Sequence, residues 1–395
     1  MEYGINMILN SDNIKKFIPR PTYAVIDLER FGENIKIARK LSNSDVIAVV
    51  KADAYGHGAI RLATYAYNKL KVTHFAVATM IEALDLRDAL PSDDVVIVVL
   101  GYVSDSFVEE AIKAKITLPV FDNRYAEILN KASEKLNIKS KVAMEIDTGM
   151  SRLGFSCDLS LKEFLNKYKN LHVDFAISHL ATSDSDNSYA HIQTEKFDKF
   201  IEINKDYYFH TSFLNSSGIV NYENRWTYTR PGIILYGYEA TNVLKDLKPV
   251  MKVYSEITHV KLLKKGDSVG YGRTFYADRD MLIGVVPIGY ADGYRRLFSN
   301  IGYMLAGDVK CPVVGTVCMD MTMIDVTSLG PDCIGTKLEV MGDNINATML
   351  GAWANTIDYE ILCGISNRIP RIYKDEEGKF EIFWFYRKYS FKGNS

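Results

Sequence analysis

The sequence predicts an α/β fold, a (β/α)8 TIM-type barrel followed by a mainly β C-terminal domain. Three observations carry this. From about residue 22 to residue 236, short β-rich runs alternate with longer stretches of helical periodicity, the pattern of a parallel sheet with helical crossovers. Eight such runs are enough to close a barrel. After about residue 245 the rhythm changes to strands separated by glycine-bearing turns.

The strand candidates are Thr22–Ile26, Val46–Val50, Phe75–Ala78, Val95–Leu100, Ile116–Val120, Val142–Ile146, Phe175–Ser178 and Ile233–Tyr236. Several are apolar throughout, as strands covered on both faces should be. A ninth short run near Phe213 leaves the count open by one. Between them, Phe31–Leu41, Ala59–Leu70, Tyr125–Leu136 and His191–Asn204 carry apolar residues three and four apart, which suits an outer helix ring. In the second domain, Val253–Leu263 alternates, further β-like runs occur at Met281–Pro287, Val313–Val317 and Met321–Asp325, and one helix is expected around Thr348–Ile357. The division is therefore a barrel over residues 22–245 and a β domain over 246–395, with residues 1–21 unassigned.

Composition bounds the function. With 395 residues, 47% hydrophobic and 24% charged, the chain can bury a large core. A formal net charge of -2 with interspersed signs offers no field for nucleic acid or an anionic membrane, so a small molecule is the expected partner. The five cysteines are odd in number and scattered, forming neither a disulfide framework nor a metal-ligand pattern. No apolar stretch approaches the roughly 18 residues that span a bilayer, and the first residues lack a basic region followed by an apolar core, so the expected location is the cytoplasm.

The polar motifs fall where a barrel places chemistry. Lys51 follows one strand, Asp147 to Arg152 another and His179 a third, all at the carboxyl-terminal rim. A lysine after a strand is usually just the first solvated residue. Lys51, however, stands between a buried run and a glycine-broken loop in Val46-Ile-Ala-Val-Val-Lys-Ala-Asp-Ala-Tyr-Gly-His-Gly58. In a desolvated site a lysine becomes a free amine near neutral pH and forms an imine with an aldehyde.

This stretch resembles the cofactor-lysine motif of the alanine racemase family, the racemase branch of fold type III pyridoxal phosphate enzymes. The resemblance continues in Phe75-Ala-Val-Ala-Thr-Met-Ile-Glu-Ala83, Asp147-Thr-Gly-Met-Ser-Arg-Leu-Gly154, Arg230-Pro-Gly-Ile-Ile-Leu-Tyr-Gly237, Ile288-Gly-Tyr-Ala-Asp-Gly293, Val317-Cys-Met-Asp320 and Arg368-Ile-Pro-Arg371, in the family's order. It implies pyridoxal 5′-phosphate bound at Lys51, racemisation of an amino acid, and a homodimer. It also implies a second base, Tyr271 in Gly270-Tyr-Gly-Arg-Thr274, delivered from the partner chain's β domain. Inversion needs two bases, since a single one mostly returns the proton to the face it came from.

By the same resemblance Arg230 faces the pyridine nitrogen and, being always charged, keeps it unprotonated. Tyr55, Ser216 and the amides of Gly232 and Ile233 hold the phosphate, hydroxyls and amides being suitable donors. His179 lies against the ring, Arg152 near the ring hydroxyl and the substrate carboxylate, Met319 and Asp320 near that carboxylate in the partner's domain, and Tyr290 narrows the entrance. His57 reads as a loop-structuring residue.

Three positions depart from the family pattern. Glu145 stands where many members carry a carbamylated lysine that orients the arginine matched by Arg152, so a permanent negative charge and a Glu145–Arg152 pair are expected. Ser212 replaces a histidine that buttresses the arginine matched by Arg230, so something else must orient that guanidinium. Asn367 replaces a tyrosine that helps bind phosphate and crowds the substrate methyl, and asparagine is smaller with both donor and acceptor. Alanine is thus the expected substrate, with serine additional or principal, since one hydroxyl in a permissive pocket discriminates only modestly. A fold-type-III decarboxylase and a non-catalytic cofactor-binding protein are the other classes. The Tyr271 motif and the absence of an obvious decarboxylase-type cysteine and glycine-rich phosphate loop argue against the first, and the β domain against the second.

Overall fold

The computed structural model describes residues 4–9, 18–241 and 243–383, the first segment for its backbone only. It divides into two compact units. One is residues 31–248, and the other is the described chain before residue 31 and after residue 248.

Two strands come before the first unit, β1 (Gly4–Leu9) and β2 (Tyr23–Asp27). Eight parallel strands then build the barrel: β3 (Asp45–Val49), β4 (His74–Val77), β5 (Val96–Val99), β6 (Leu118–Val120), β7 (Ser140–Glu145), β8 (Leu171–Ile177), β9 (His210–Ser212) and β10 (Tyr228–Thr229). They pair in sequence from β3 to β5 and from β6 to β10, and β10 returns to pair with β3. A bridge from Val98 to Thr117 spans the seam between β5 and β6. Phe75 and Phe175 are fully buried, and truncating either to alanine would cost about 3–5 kcal/mol.

Six of the expected barrel strands form close to their predicted bounds. Two do not belong. Ile233–Tyr236 is a fully buried 3-10 turn rather than a strand, because a short apolar run has the same pattern in either form. The strand at Thr22–Ile26 forms as β2, but it pairs with Met251–Glu256 and Arg371–Lys374 in the sheet of the other unit. Residues 22–30, expected with the barrel, therefore group with the β unit. Their places in the ring are taken by β9, which is the run near Phe213, and by the two-residue β10.

The helices follow their periodicity. Ala59–Leu70 buries Leu62, Ala63, Tyr65 and Ala66 on one face and stops at Lys71, whose left-handed φ of 56° ends the ladder. Asn123–Leu136 starts where Asp122 accepts from the Tyr125 amide, and it ends at Asn137 in the same conformation. Met80–Ala89 opens on a reciprocal cap between Thr79 and Glu82.

In the β unit, Val253–Leu263 breaks into β11 (Met251–Glu256) and a further strand, His259–Leu263. The latter forms a three-stranded antiparallel sheet with Met281–Val286 and Thr322–Asp325. Val313–Val317 contributes only a bridge from Val313 to Ile324. The expected helix is Ala347–Ala354, followed by a second at Asp358–Cys363. The unassigned start is partly accounted for, since β1 pairs antiparallel with Phe380–Phe383; residues 1–3 and 10–17 lie outside the described residues.

Candidate active site

Lys51 begins directly beyond β3, and the chain after it does something unusual. Ala52, Asp53, Ala54 and Tyr55 all have φ between 52° and 54° with ψ between 41° and 50°, four consecutive non-glycine residues in the left-handed helical region. Each costs about 1–2 kcal/mol against the right-handed form, so surrounding contacts must hold the turn. His57 supplies one set, its Nδ1 lying 2.9 Å from the Ala54 carbonyl and 3.0 Å from that of Tyr55, which requires the proton on Nδ1. Asp53 accepts from the Ala59 amide at 2.7 Å. The Tyr236 ring packs against both Tyr55 and His57, with centroids 4.7 and 4.6 Å away, and its hydroxyl donates to the Val49 carbonyl at 2.8 Å.

The turn aims the buried Tyr55 at a backbone cradle. A Cβ on Gly232 would stand 2.5 Å from the Tyr55 hydroxyl, so only glycine permits this approach. The Gly232 amide donates to Ser216 Oγ at 2.9 Å, and the Ile234 amide to the same oxygen at 3.4 Å.

Arg230 is buried and donates to two backbone carbonyls, Ser212 at 2.6 Å and Ser178. These carbonyls answer the orientation question raised by the Ser212 replacement. The Ser212 hydroxyl itself is buried without a hydrogen-bond partner among the described residues. Burial lowers Arg230 to about 10, with Glu145 pulling it back up, so it stays charged at neutral pH.

Glu145 ends β7. Burial raises its carboxyl to about 7, opposed by Arg230 and then Arg152. Two expectations are corrected here. The negative charge of Glu145 is not permanent, because desolvation penalises it, and among the described residues no ion pair within 4 Å joins Glu145 to Arg152, whose side chain is exposed. His179, two residues past β8, is lowered to about 3, first by burial and then by Arg230, Arg152 and Lys51. The neutral ring has its Nε2 3.4 Å from Asn215 Nδ2. Because Asn215 Oδ1 accepts from Gly218 and Ser183, the amide nitrogen faces His179, making Nε2 the acceptor. Lys51, Glu145, Arg152, His179 and Arg230 thus share one field at the barrel rim.

Comparison with known proteins matches residues 26–240 to the alanine racemase N-terminal domain and residues 250–373 to the alanine racemase C-terminal domain. The chain belongs to the alanine racemase family. Alanine racemase 1 of Clostridium acetobutylicum is 37% identical over 90% of this chain and 95% of its own length. The alanine racemase structure of Clostridium difficile superposes with a TM-score of 0.86 at 32% identity, covering 92% of this chain and 98% of that one. An alanine racemase structure from Bartonella henselae, with covalently bound pyridoxal phosphate, gives a TM-score of 0.81 at 29% identity, covering 90% and 100%.

The chain is therefore a racemase, and alanine racemases depend on pyridoxal 5′-phosphate. The rim fits that cofactor: a glycine-walled cradle beside two hydroxyls suits its phosphate, and a buried, rigidly held guanidinium suits its ring nitrogen.

The other candidates lie in the β unit. Tyr271 is 72% exposed at the start of a short 3-10 turn, and its carbonyl accepts from Thr316 Oγ1 at 2.9 Å. Tyr290 and Met319 are exposed nearby, the Tyr290 amide donating to the Cys318 carbonyl. Asp320 pairs with Arg368 at 2.7 Å. Arg368 lies 3.7 Å from the fully buried carboxylate of Asp292, which Arg20 grips at 2.6 and 3.0 Å. Asn367 is exposed and makes no side-chain hydrogen bond among the described residues.

Three features escaped the sequence. The left-handed turn had no signal, since Ala-Asp-Ala-Tyr carries no glycine. Glu82 was legible only as the end of a Thr-x-x-Glu cap. The Arg20–Asp292–Arg368–Asp320 chain joins residues too far apart in sequence to be read together.

Proposed function

We propose that this chain interconverts L- and D-alanine by a two-base reaction, with Lys51 and Tyr271 acting on opposite faces of the substrate α-carbon. The observation that carries the reading is the placement of Lys51 at the barrel rim in one field with Arg152, Glu145, His179 and Arg230. Lys51 attaches pyridoxal 5′-phosphate. Tyr55, Ser216, the amides of Gly232 and Ile233, and Asn367 hold its phosphate. The Gly232 amide now serves Ser216 Oγ, so that hydroxyl and amide would share the anion. When bound, the cofactor supplies an electron sink for the pair left on the α-carbon as its proton leaves.

The protein's own groups do the rest. Arg230, fixed by the Ser212 and Ser178 carbonyls, offers a charge that is not surrendered at neutral pH, so a cofactor ring nitrogen held against it would stay unprotonated. His179, held neutral, would lie along the ring of the bound cofactor without adding charge. Arg152 takes the substrate carboxylate, with Met319 and Asp320 of the partner subunit beside it, and Tyr290 narrows the approach. Lys51 Nζ holds or returns the proton on the D-enantiomer's face and Tyr271 Oη on the other.

Tyr271 comes from a partner chain in a homodimer. Its exposure, shared by Tyr290, Met319 and Met321 in one hydrogen-bonded region, supports an assembly that covers these apolar groups. The cytoplasm is the proposed location, in keeping with five cysteines that remain thiols.

Mixing tests the shared site. Lys51→Ala and Tyr271→Phe are each expected to be inactive alone. Unfolded together and reassembled, they should regain about a quarter of wild-type activity, because half the chains pair into mixed dimers with one intact site. Chiral chromatography of L-alanine incubations reads the product. No recovery on mixing would overturn the shared site, and absence of D-alanine from the wild type would overturn the activity.

Serine is a second substrate in this proposal on the strength of Asn367, an exposed side chain smaller than the tyrosine that the family pattern places there. Asn367→Tyr should lower the serine-to-alanine activity ratio severalfold. An unchanged ratio removes this reading.

A further inference from the structure

Lys51 is flanked by two backbone amides, and both are anchored on neighbouring structure. The Val50 amide donates to the Ala76 carbonyl in β4 at 2.9 Å. The Ala52 amide donates to Glu82 Oε1 at 2.7 Å. The second Glu82 oxygen accepts from the Ala78 amide at 2.8 Å and the Thr79 amide at 3.0 Å. A capping glutamate needs only the bond to the N-cap amide, here Thr79. The bonds to Ala78 and Ala52 lie outside that motif, and the one to Ala52 crosses from the end of β4 to the end of β3.

The crossing has a local reason. Ala52 is the first of the four left-handed residues, and the amides that open any helical turn lack partners within it. Without an acceptor at this point, the strained turn is free to relax toward the right-handed form. The peptide joining Lys51 to Ala52 would rotate with it, and Lys51 and Tyr55, at the two ends of the turn, would both change direction.

We propose that Glu82 is a positioning residue for the racemisation: its carboxylate caps the left-handed turn through the Ala52 amide and so aims Lys51 and Tyr55 at the cofactor. This rests on the reading of Lys51 as the attachment point. Glu82 touches neither substrate nor cofactor and acts only through the backbone. A carboxylate serves because three amides converge on it from two sides. A glutamine presents an oxygen to one side and an amide donor to the other, whichever way it is turned.

The test uses the full-length protein and three substitutions, Glu82→Gln, Glu82→Asp and Thr79→Ala. Two readouts apart from turnover are the dissociation constant for pyridoxal 5′-phosphate, from titration of visible absorbance, and the fraction of chains labelled irreversibly after borohydride reduction. Melting of the apoprotein serves as the fold control. Glu82→Gln should weaken cofactor binding at least tenfold. Glu82→Asp, one methylene shorter, keeps the charge but cannot span both sides, and should show a similar loss. Thr79→Ala removes the reciprocal half of the helix cap and leaves the Ala52 bond intact. It should bind cofactor within twofold of wild type, although its apoprotein melts lower.

Equal loss of affinity in Thr79→Ala and Glu82→Gln would show that Glu82 serves only the helix, and wild-type affinity in both Glu82 variants would remove the role altogether. A borohydride-stable label that survives in Lys51→Ala overturns the reading of Lys51 itself and this proposal with it. A label that depends on Lys51 together with unchanged affinity in the Glu82 variants overturns the role of Glu82 alone.

Discussion

The guanidinium of Arg230 donates to the backbone carbonyl of Ser212 at 2.6 Å while the Ser212 hydroxyl, in the same residue, finds no partner. Orientation of the arginine is thereby tied to the barrel backbone and not to the side chain at position 212. Ser212→Ala should therefore leave turnover within twofold of wild type. It should also hold or raise stability by up to about 1 kcal/mol, because it deletes a buried hydroxyl that folding had stripped of water. Equilibrium urea unfolding together with a racemisation assay checks both halves. A large loss of turnover would show that the hydroxyl orients Arg230 after all.

The two shifted acids of the rim act on stability in opposite directions. Glu145 is raised to about 7 from an ordinary 4.5, so the native state holds an extra proton between those values and stability falls as pH rises through that window. His179 is lowered to about 3 from 6.5, so the unfolded state binds the extra proton and stability falls as pH drops through that window. Between about pH 4.5 and 6.5 the two slopes oppose. Glu145→Gln should abolish the first slope, gaining on the order of 2–3 kcal/mol at pH 7.5 relative to its difference from wild type at pH 4. Urea midpoints of the apoprotein at a series of pH values give the result, and parallel profiles for wild type and variant would contradict it.

Gly232→Ala tests the cradle. A methyl group added at this glycine would stand against the Tyr55 hydroxyl. Cofactor affinity should fall at least tenfold, with apoprotein stability changed by about 1–3 kcal/mol at most, the usual cost of overpacking. Fluorescence titration with pyridoxal 5′-phosphate measures the affinity.

Arg20 reaches the substrate side of the β unit at third hand. Arg20→Ala leaves the buried Asp292 with one cation, Arg368, in place of two, and the imbalance should cost about 2–3 kcal/mol. It should also draw Arg368 toward Asp292 and loosen its 2.7 Å pair with Asp320. The expected kinetic signature is a severalfold higher KM for alanine with kcat nearly unchanged, partly restored in Arg20→Lys. A fall in kcat with constant KM would instead place this chain of charges in the chemical step.

Placement of the chemistry was more legible than the strands that carry it. Lys51, the Asp147–Arg152 loop and His179 each follow a buried apolar run, so their position at the carboxyl-terminal rim could be read directly. β10 could not, because two residues make no pattern. Ile233–Tyr236 was misread because full burial erases the difference between a strand and a tight helical turn. Tyr23–Asp27 shows the other limit: a short apolar, β-branched run marks a strand, but it says nothing about which sheet the strand joins. Electrostatic states were the least accessible. Glu145 reads as a fixed charge in the sequence, and only its burial beside Arg230 makes it titrate near neutrality.

The left-handed turn after Lys51 inverts the usual rules for improving this protein. Elsewhere, exchanging alanine for glycine in a helical segment lowers stability, whereas at Ala52 or Ala54, each with φ above 50°, it should raise it by relieving backbone strain. Such a variant would outlast the parent on heating while aiming its lysine less sharply. A stabilisation campaign scored on melting temperature alone would select it, and it would accumulate thermally robust chains that hold their cofactor poorly.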